Sequence, residues 1–121
     1  MQPLLKNTRR HDITFHRNGL IRITARVARC LNLNPGDSIN IAFDAGEYLL
    51  FSIHHHTGRH KAQCHPSKRG SRNFCAHSVS LSSQIFTVLG ISAPKVSFMV
   101  GEQIERSDNI YLPIITKYPI C

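Results

Sequence analysis

Two short runs of alternating apolar residues, Ile13/Phe15 and Ile21/Ile23, meet at Asn18-Gly19. Alternation puts each pair on one face of a strand, and Asn-Gly supplies the positive backbone angles of a tight hairpin. The fold is therefore expected to start with an antiparallel hairpin whose inner face is set by those four side chains. Thr24 then caps a short helix on which Val27 and Leu31 share a face at i, i+4. Asn34-Pro35-Gly36-Asp37 is turn chemistry that stops the helix. Ile39, Ile41 and Phe43 form one face of a strand, Asp44-Ala45-Gly46-Glu47 turns the chain, and residues 48–53 make a more continuous apolar strand.

The same order of elements returns downstream. Val79 and Leu81 alternate, Ser82 or Ser83 caps a helix bearing Ile85 and Leu89, and Gly90 ends it. Val96, Phe98 and Val100 then alternate, Ser107-Asp108-Asn109 turns, and residues 110–115 form a last apolar strand. Aligning Leu31 with Leu89 sets Ile21 against Val79, Ile23 against Leu81, Val27 against Ile85 and Leu33 against Ile91. Such self-similarity predicts a duplicated unit. The expected organisation is a flexible basic arm over 1–11, one unit over 12–53, a His-rich basic loop or linker over 54–76, and a second unit over 77–121. The expected fold class is β-rich α+β, a small barrel of two pseudo-symmetric β-α-β units.

Residues 19–39, from Gly19-Leu20-Ile21-Arg22-Ile23 through Asn34-Pro35-Gly36-Asp37 to Ile39, resemble the AbrB/MazE/SpoVT swapped-hairpin pattern. Gly19, Ile21, Ile23, Val27, Leu31, Leu33, Pro35, Gly36, Asp37 and Ile39 stand at the matching positions. The likeness covers residues 12–53 well and extends weakly to 74–116, where Gly90 and Ile91 match but Pro-Gly-Asp does not. It departs from the family at Leu20, Thr24 and Ala28, where a basic residue, a Pro and an Arg are usual. The resemblance implies intertwined hairpins in a small DNA-binding barrel, acting as a transcriptional regulator or as an antitoxin. Family members are usually homodimers; two units in one chain imply a monomeric pseudo-dimer or a homodimer of such chains.

Charge supports a polyanionic partner. Lys and Arg number 15 against 7 Asp and Glu, a formal net charge of +8. Residues 1–30 hold seven bases and one acid, and residues 54–76 hold five bases and no acid. Arg22 alternates with Ile21 and Ile23 and so points outward. Arg26 and Arg29 share a helix face at i, i+3. With Arg17 at the hairpin turn they form the expected duplex-DNA surface, and Lys6, Arg9 and Arg10 of the arm reach along the same backbone. In the second unit the equivalents of Arg22, Arg26 and Arg29 are Ser80, Gln84 and Thr87, so the surface is expected to be lopsided. The alternative is an antitoxin-like interaction module that binds a protein such as a toxin, its basic charge incidental.

His60, Cys64, Cys75 and His77 offer the ligand types of a zinc site. No Cys-x2-Cys pair accompanies them, so the other reading is a polar surface loop without a cofactor. Cys30 reads as a small core residue and Cys121 as a free thiol. No run approaches the ~20 apolar residues of a membrane span, and the first residues lack a secretory signal, which predicts a cytoplasmic protein without membrane association. No Gly-x-Ser-x-Gly elbow, phosphate loop or His-Glu-x-x-His helix appears, so no enzymatic activity is expected.

Overall fold

At the Asn18-Gly19 hinge, Gly19 takes a φ of 101° and its N–H donates to the His16 carbonyl at 2.9 Å, while Asn18 Oδ1 accepts the Leu20 N–H at 3.0 Å. The hairpin joins β1 (Ile13–His16) to β2 (Leu20–Ile23), with Ile13 opposite Ile23 and Phe15 opposite Ile21. All four side chains are buried. The computed structural model describes residues 11–54 and 62–121.

Thr24 leads into α1 (Ala25–Cys30), but its side chain makes no cap. Its hydroxyl donates to the Asp12 carbonyl at 3.3 Å, and Asn73 Oδ1 accepts the Ala25 N–H at 2.8 Å instead. The cap expected of Thr24 is thus supplied from a distant loop. Asp37 of the Pro-Gly-Asp turn is buried and accepts the Asn34 N–H at 2.8 Å, which closes the turn. β3 (Ser38–Asp44) and β4 (Glu47–Ile53) follow as a hairpin, with positive φ at both Ala45 and Gly46. Burial fades along β3: Ile39 is buried, Ile41 is half-buried and Phe43 is exposed, so the expected apolar face reaches beyond the core.

Two expectations are corrected in the second half. The stretch read as a loop or linker contains β5 (Cys64–Pro66) and β6 (Phe74–His77), which pair with each other. Val79 and Leu81, read as alternating, lie instead in the first turn of α2 (Val79–Val88). Ser78 is the cap, its Oγ accepting the Leu81 N–H at 3.1 Å, so the helix begins before Ser82 and Ser83. The strand places of Ile21 and Ile23 are taken by Phe74 and Ala76, which are buried opposite Ile23 and Ile21. The helix ends do correspond: Leu33 N–H bonds Ala28 O and Ile91 N–H bonds Phe86 O, at 2.9 and 3.0 Å. β7 (Lys95–Val100), β8 (Ile104–Arg106) and β9 (Asn109–Ile120) complete the chain.

The molecule is a β-rich α+β fold. Its antiparallel sheet runs β3-β4-β9-β7-β1-β2-β6-β5, with β8 attached to β9. The sheet curls until its ends meet. Ile39 N–H bonds Ala62 O at 3.0 Å, Cys64 N–H bonds Asp37 O at 2.7 Å, and Gly36 N–H bonds Cys64 O at 2.8 Å. β1 pairs with β7, and β5 meets β3 through these bonds. Exchanging β1-β2-α1-β3-β4 for β5-β6-α2-β7-β9 leaves every neighbour relation in place. Both halves fill one core, where Phe15 meets Phe98 edge-on at 6.0 Å beside Val27, Leu50, Ile85 and Leu112.

Candidate nucleic-acid interface

The four arginines predicted to form one surface divide into two kinds. Arg26 turns back onto Asp12: Nη2 to Oδ2 is 2.7 Å and Nε to Oδ1 is 3.2 Å. That hydrogen bond, more than the opposite charge, raises the Arg26 pKa from its ordinary value. Arg17 donates from Nε to Ala93 O at 2.8 Å and from Nη2 to Ile91 O at 2.5 Å, and its guanidinium lies 4.5 Å over the Phe86 ring. Both guanidiniums are engaged within the fold, Arg17 by the Ile91 and Ala93 carbonyls and Arg26 by Asp12, while both residues remain exposed. Arg22 and Arg29 are exposed, and neither forms an ion pair with a described residue. Lys6, Arg9 and Arg10 lie outside the described residues.

Arg22 stands on the outer face of the sheet because its β2 neighbours, Ile21 and Ile23, face the core. The strand register continues its row through Thr14 and Ser97 on one side and Cys75 and His65 on the other. The next row holds Lys95, His16, Leu20 and His77. Burial, then Arg22 and Lys95, lower the pKa of His16, and its buried Nε2 has no hydrogen-bond partner among the described residues.

Two clefts lie side by side around Asn73 and Phe74. One, of about 200 Å³, is lined by Arg22, His11, Thr14, Thr24, Ser67 and Asn73. The other, of about 400 Å³, is lined by Arg29, Arg72, Ser71 and Asn32 together with apolar Ala25, Ala28 and Leu33. Phe74 borders both. The β5–β6 turn adds exposed Lys68 and Arg69 beside Arg72. Sequence reading counted these three in the basic block over 54–76 but did not place them on the surface, because that stretch lacks apolar periodicity; the alternation of Phe74 and Ala76 was the available signal.

All seven carboxylate side chains can be placed. Asp12 and Asp37 are buried and bonded. Asp44 and Glu47 flank the β3–β4 turn, Glu105 lies in β8 and Glu102 and Asp108 on either side of it, and Arg106 of β8 pairs with Asp44. No carboxylate lines either basic cleft. Hydroxyls, amides and guanidiniums without a competing acid suit phosphate oxygens, which the planar guanidinium fork engages with two parallel bonds.

The metal set does not assemble as predicted. Cys64 is fully buried on the core face of β5, while Cys75 and His77 project from the opposite face of β6. His60 lies outside the described residues, among which no cluster of three or more His, Cys, Asp or Glu could hold a metal ion. Burial first, then Asp37 and Cys75, push the Cys64 thiol up to about 12.

His54 has a different role from the neighbouring histidines it was grouped with. Its Nδ1 lies 2.7 Å from Asp37 Oδ2 and its Nε2 lies 3.0 Å from Ser52 Oγ. Ser52 in turn donates to Leu31 O, the C-cap of α1, at 3.2 Å. With that hydroxyl committed to Leu31, the chain of bonds ties the Pro-Gly-Asp turn, the end of β4 and the end of α1 together.

Comparison with family models, with curated proteins and with solved structures finds no match to this chain. Among the described residues no helix is long and apolar enough to cross a membrane.

Proposed function

We propose that this chain binds double-stranded DNA through the phosphate backbone, as an AbrB-like regulator whose two swapped-hairpin units share one polypeptide. The observation that carries the reading is the pair of adjacent clefts holding Arg22 in one and Arg29 with Arg72 in the other, with no acid lining either. The pairing of β1 with β7 and the contact of β5 with β3 support the swapped-hairpin part, since each half's first hairpin rests on a strand of the other half. Lys68 and Arg69 extend the surface beside Arg72. Contacts of this kind position a duplex without reading its sequence.

The test is a titration of duplex DNA at several salt concentrations. Affinity falls by about 0.9 log unit per neutralised phosphate for each log unit of salt. Replacing Arg22, Arg29 and Arg72 together with Ala lowers that slope by about one unit per lost contact. A salt-independent affinity, or a slope unchanged in the triple variant, overturns the proposal.

A further inference from the structure

The larger basic cleft contains more than a phosphate contact requires. One wall is α1 with the residues that follow it, and the other is the end of the β5–β6 turn with Phe74 of β6. Asn73 fastens the two walls together. Its Oδ1 accepts the Ala25 N–H at 2.8 Å, and its own N–H donates to Ser71 Oγ at 3.1 Å. The cleft is therefore built into the fold, as ligand sites usually are. Its rim carries Arg29 and Arg72, both exposed and neither hydrogen-bonded through its side chain nor ion-paired to a described residue. Its floor is apolar. Ala25 and Ala28 lie one turn apart on α1, beside Leu33 and Phe74, and the last three keep 5%, 9% and 9% of their surface open.

Phosphate groups engage only the rim, so the floor calls for an apolar body attached to the anion. The lining narrows the choice. A sugar phosphate presents hydroxyls on every side, and apart from the arginines the cleft has Ser71 and Asn32 alone to meet them. An acyl chain needs a long apolar groove, whereas four apolar side chains line a cleft of about 400 Å³ here. A planar base suits it. Two alanines leave a low shelf, a guanidinium can hold phosphate in its plane and stack its face on a ring, and the Asn32 amide has both a donor and an acceptor for a base edge. Resting on the reading of Arg29 and Arg72 as phosphate ligands, we propose that this cleft binds a nucleotide unit with its base unstacked. The phosphate lies on the two arginines and the base over Ala25, Ala28 and Leu33, its edge toward Asn32. A free nucleotide and a nucleotide turned out of a strand share this chemistry.

The test is calorimetric titration of the full chain with adenosine monophosphate, beside adenosine and inorganic phosphate. The monophosphate binds saturably and about tenfold or more tighter than either fragment. Arg29→Gln and Arg72→Gln, both at exposed positions, each weaken it about tenfold. Asn32 has a φ of 54°, which Gly adopts without strain, so Asn32→Gly removes the amide and keeps the turn. That variant weakens the monophosphate and leaves inorganic phosphate unaffected. A single-stranded oligoadenylate separates the two sources: tighter binding per site than the monophosphate assigns a strand, equal or weaker binding a free nucleotide, and either supports the proposal. No saturable binding of monophosphate or oligomer, a monophosphate no tighter than its fragments, or indifference to both arginine variants overturns it. A monophosphate unaffected by Asn32→Gly overturns the placement of the base. Duplex binding with its salt slope but no nucleotide binding overturns this inference and leaves the phosphate-backbone reading standing; nucleotide binding without duplex binding does the reverse.

Discussion

Arg26 grips Asp12 at two points, 2.7 Å from Nη2 and 3.2 Å from Nε, with the arginine side chain 53% exposed and the carboxylate 6%. Asp12 Oδ2 also accepts the Val100 N–H at 2.9 Å, so this one buried carboxylate joins α1, β1 and β7. The contact engages Arg26 with the fold, whereas Arg22 and Arg29 are exposed and form no ion pair with a described residue.

Arg26→Ala should therefore lower thermal stability, by about 1–2 kcal/mol once solvent screening of a half-exposed guanidinium is allowed for. Asp12→Ala should cost more, about 2–4 kcal/mol, because it also strands the Val100 N–H inside the protein. Neither change should alter the salt slope of duplex binding. Denaturant unfolding beside the salt titration checks both; an unchanged midpoint for Arg26→Ala would return that side chain to the binding surface.

Cys64 should resist alkylation in the folded protein at pH 8 while exposed Cys121 reacts, and all four thiols should react in denaturant. Its pKa is raised in the fold from 9.0 to about 12, so the stabilising difference is fully present below 9. Stability should then decline as pH rises from 9 toward about 12, because the unfolded chain loses this proton first. Comparing unfolding of the natural chain with Cys64→Ala across that window isolates the effect. Equal slopes in the two would show that Cys64 does not cause the decline.

His16 should make the fold sensitive to acid. Its pKa is lowered from 6.5 by burial and by Arg22 and Lys95, so its stabilising difference is present above 6.5 and is lost as pH falls through the depressed value. His16→Gln removes this contribution. The measurement is the difference between the two proteins' unfolding free energies from pH 7 downward, which should shrink or reverse on acidification; a constant difference would leave the imidazole without a part in it.

The first hairpin was legible because Asn18-Gly19 and four alternating apolar residues encode it locally, with no help from the rest of the chain. The Pro-Gly-Asp turn was legible for the same reason. β5 and β6 were not, since strands of three and four residues hold too few apolar positions to display a period, and Cys64, Cys75 and His77 drew attention as ligands. The spacing of Val79 and Leu81 fits a strand as well as a first helical turn, and the Ser78 hydroxyl accepting the Leu81 N–H marks the helix start. The outward direction of Arg22 followed from alternation. The engagement of Arg17 and Arg26 did not, because their partners, Ile91, Ala93 and Asp12, come from contacts distant along the chain.

The interleaved strand pairing has a bearing on how such a protein can diversify. A barrel assembled from two identical chains must display every side chain twice, on both sides of its axis. Here α1 carries Arg26 and Arg29 whereas α2, its counterpart, has no charged residue. Covalent tethering of the two halves lets one helix carry arginines while its counterpart carries no charge at all, an asymmetry that a pair of identical subunits cannot adopt.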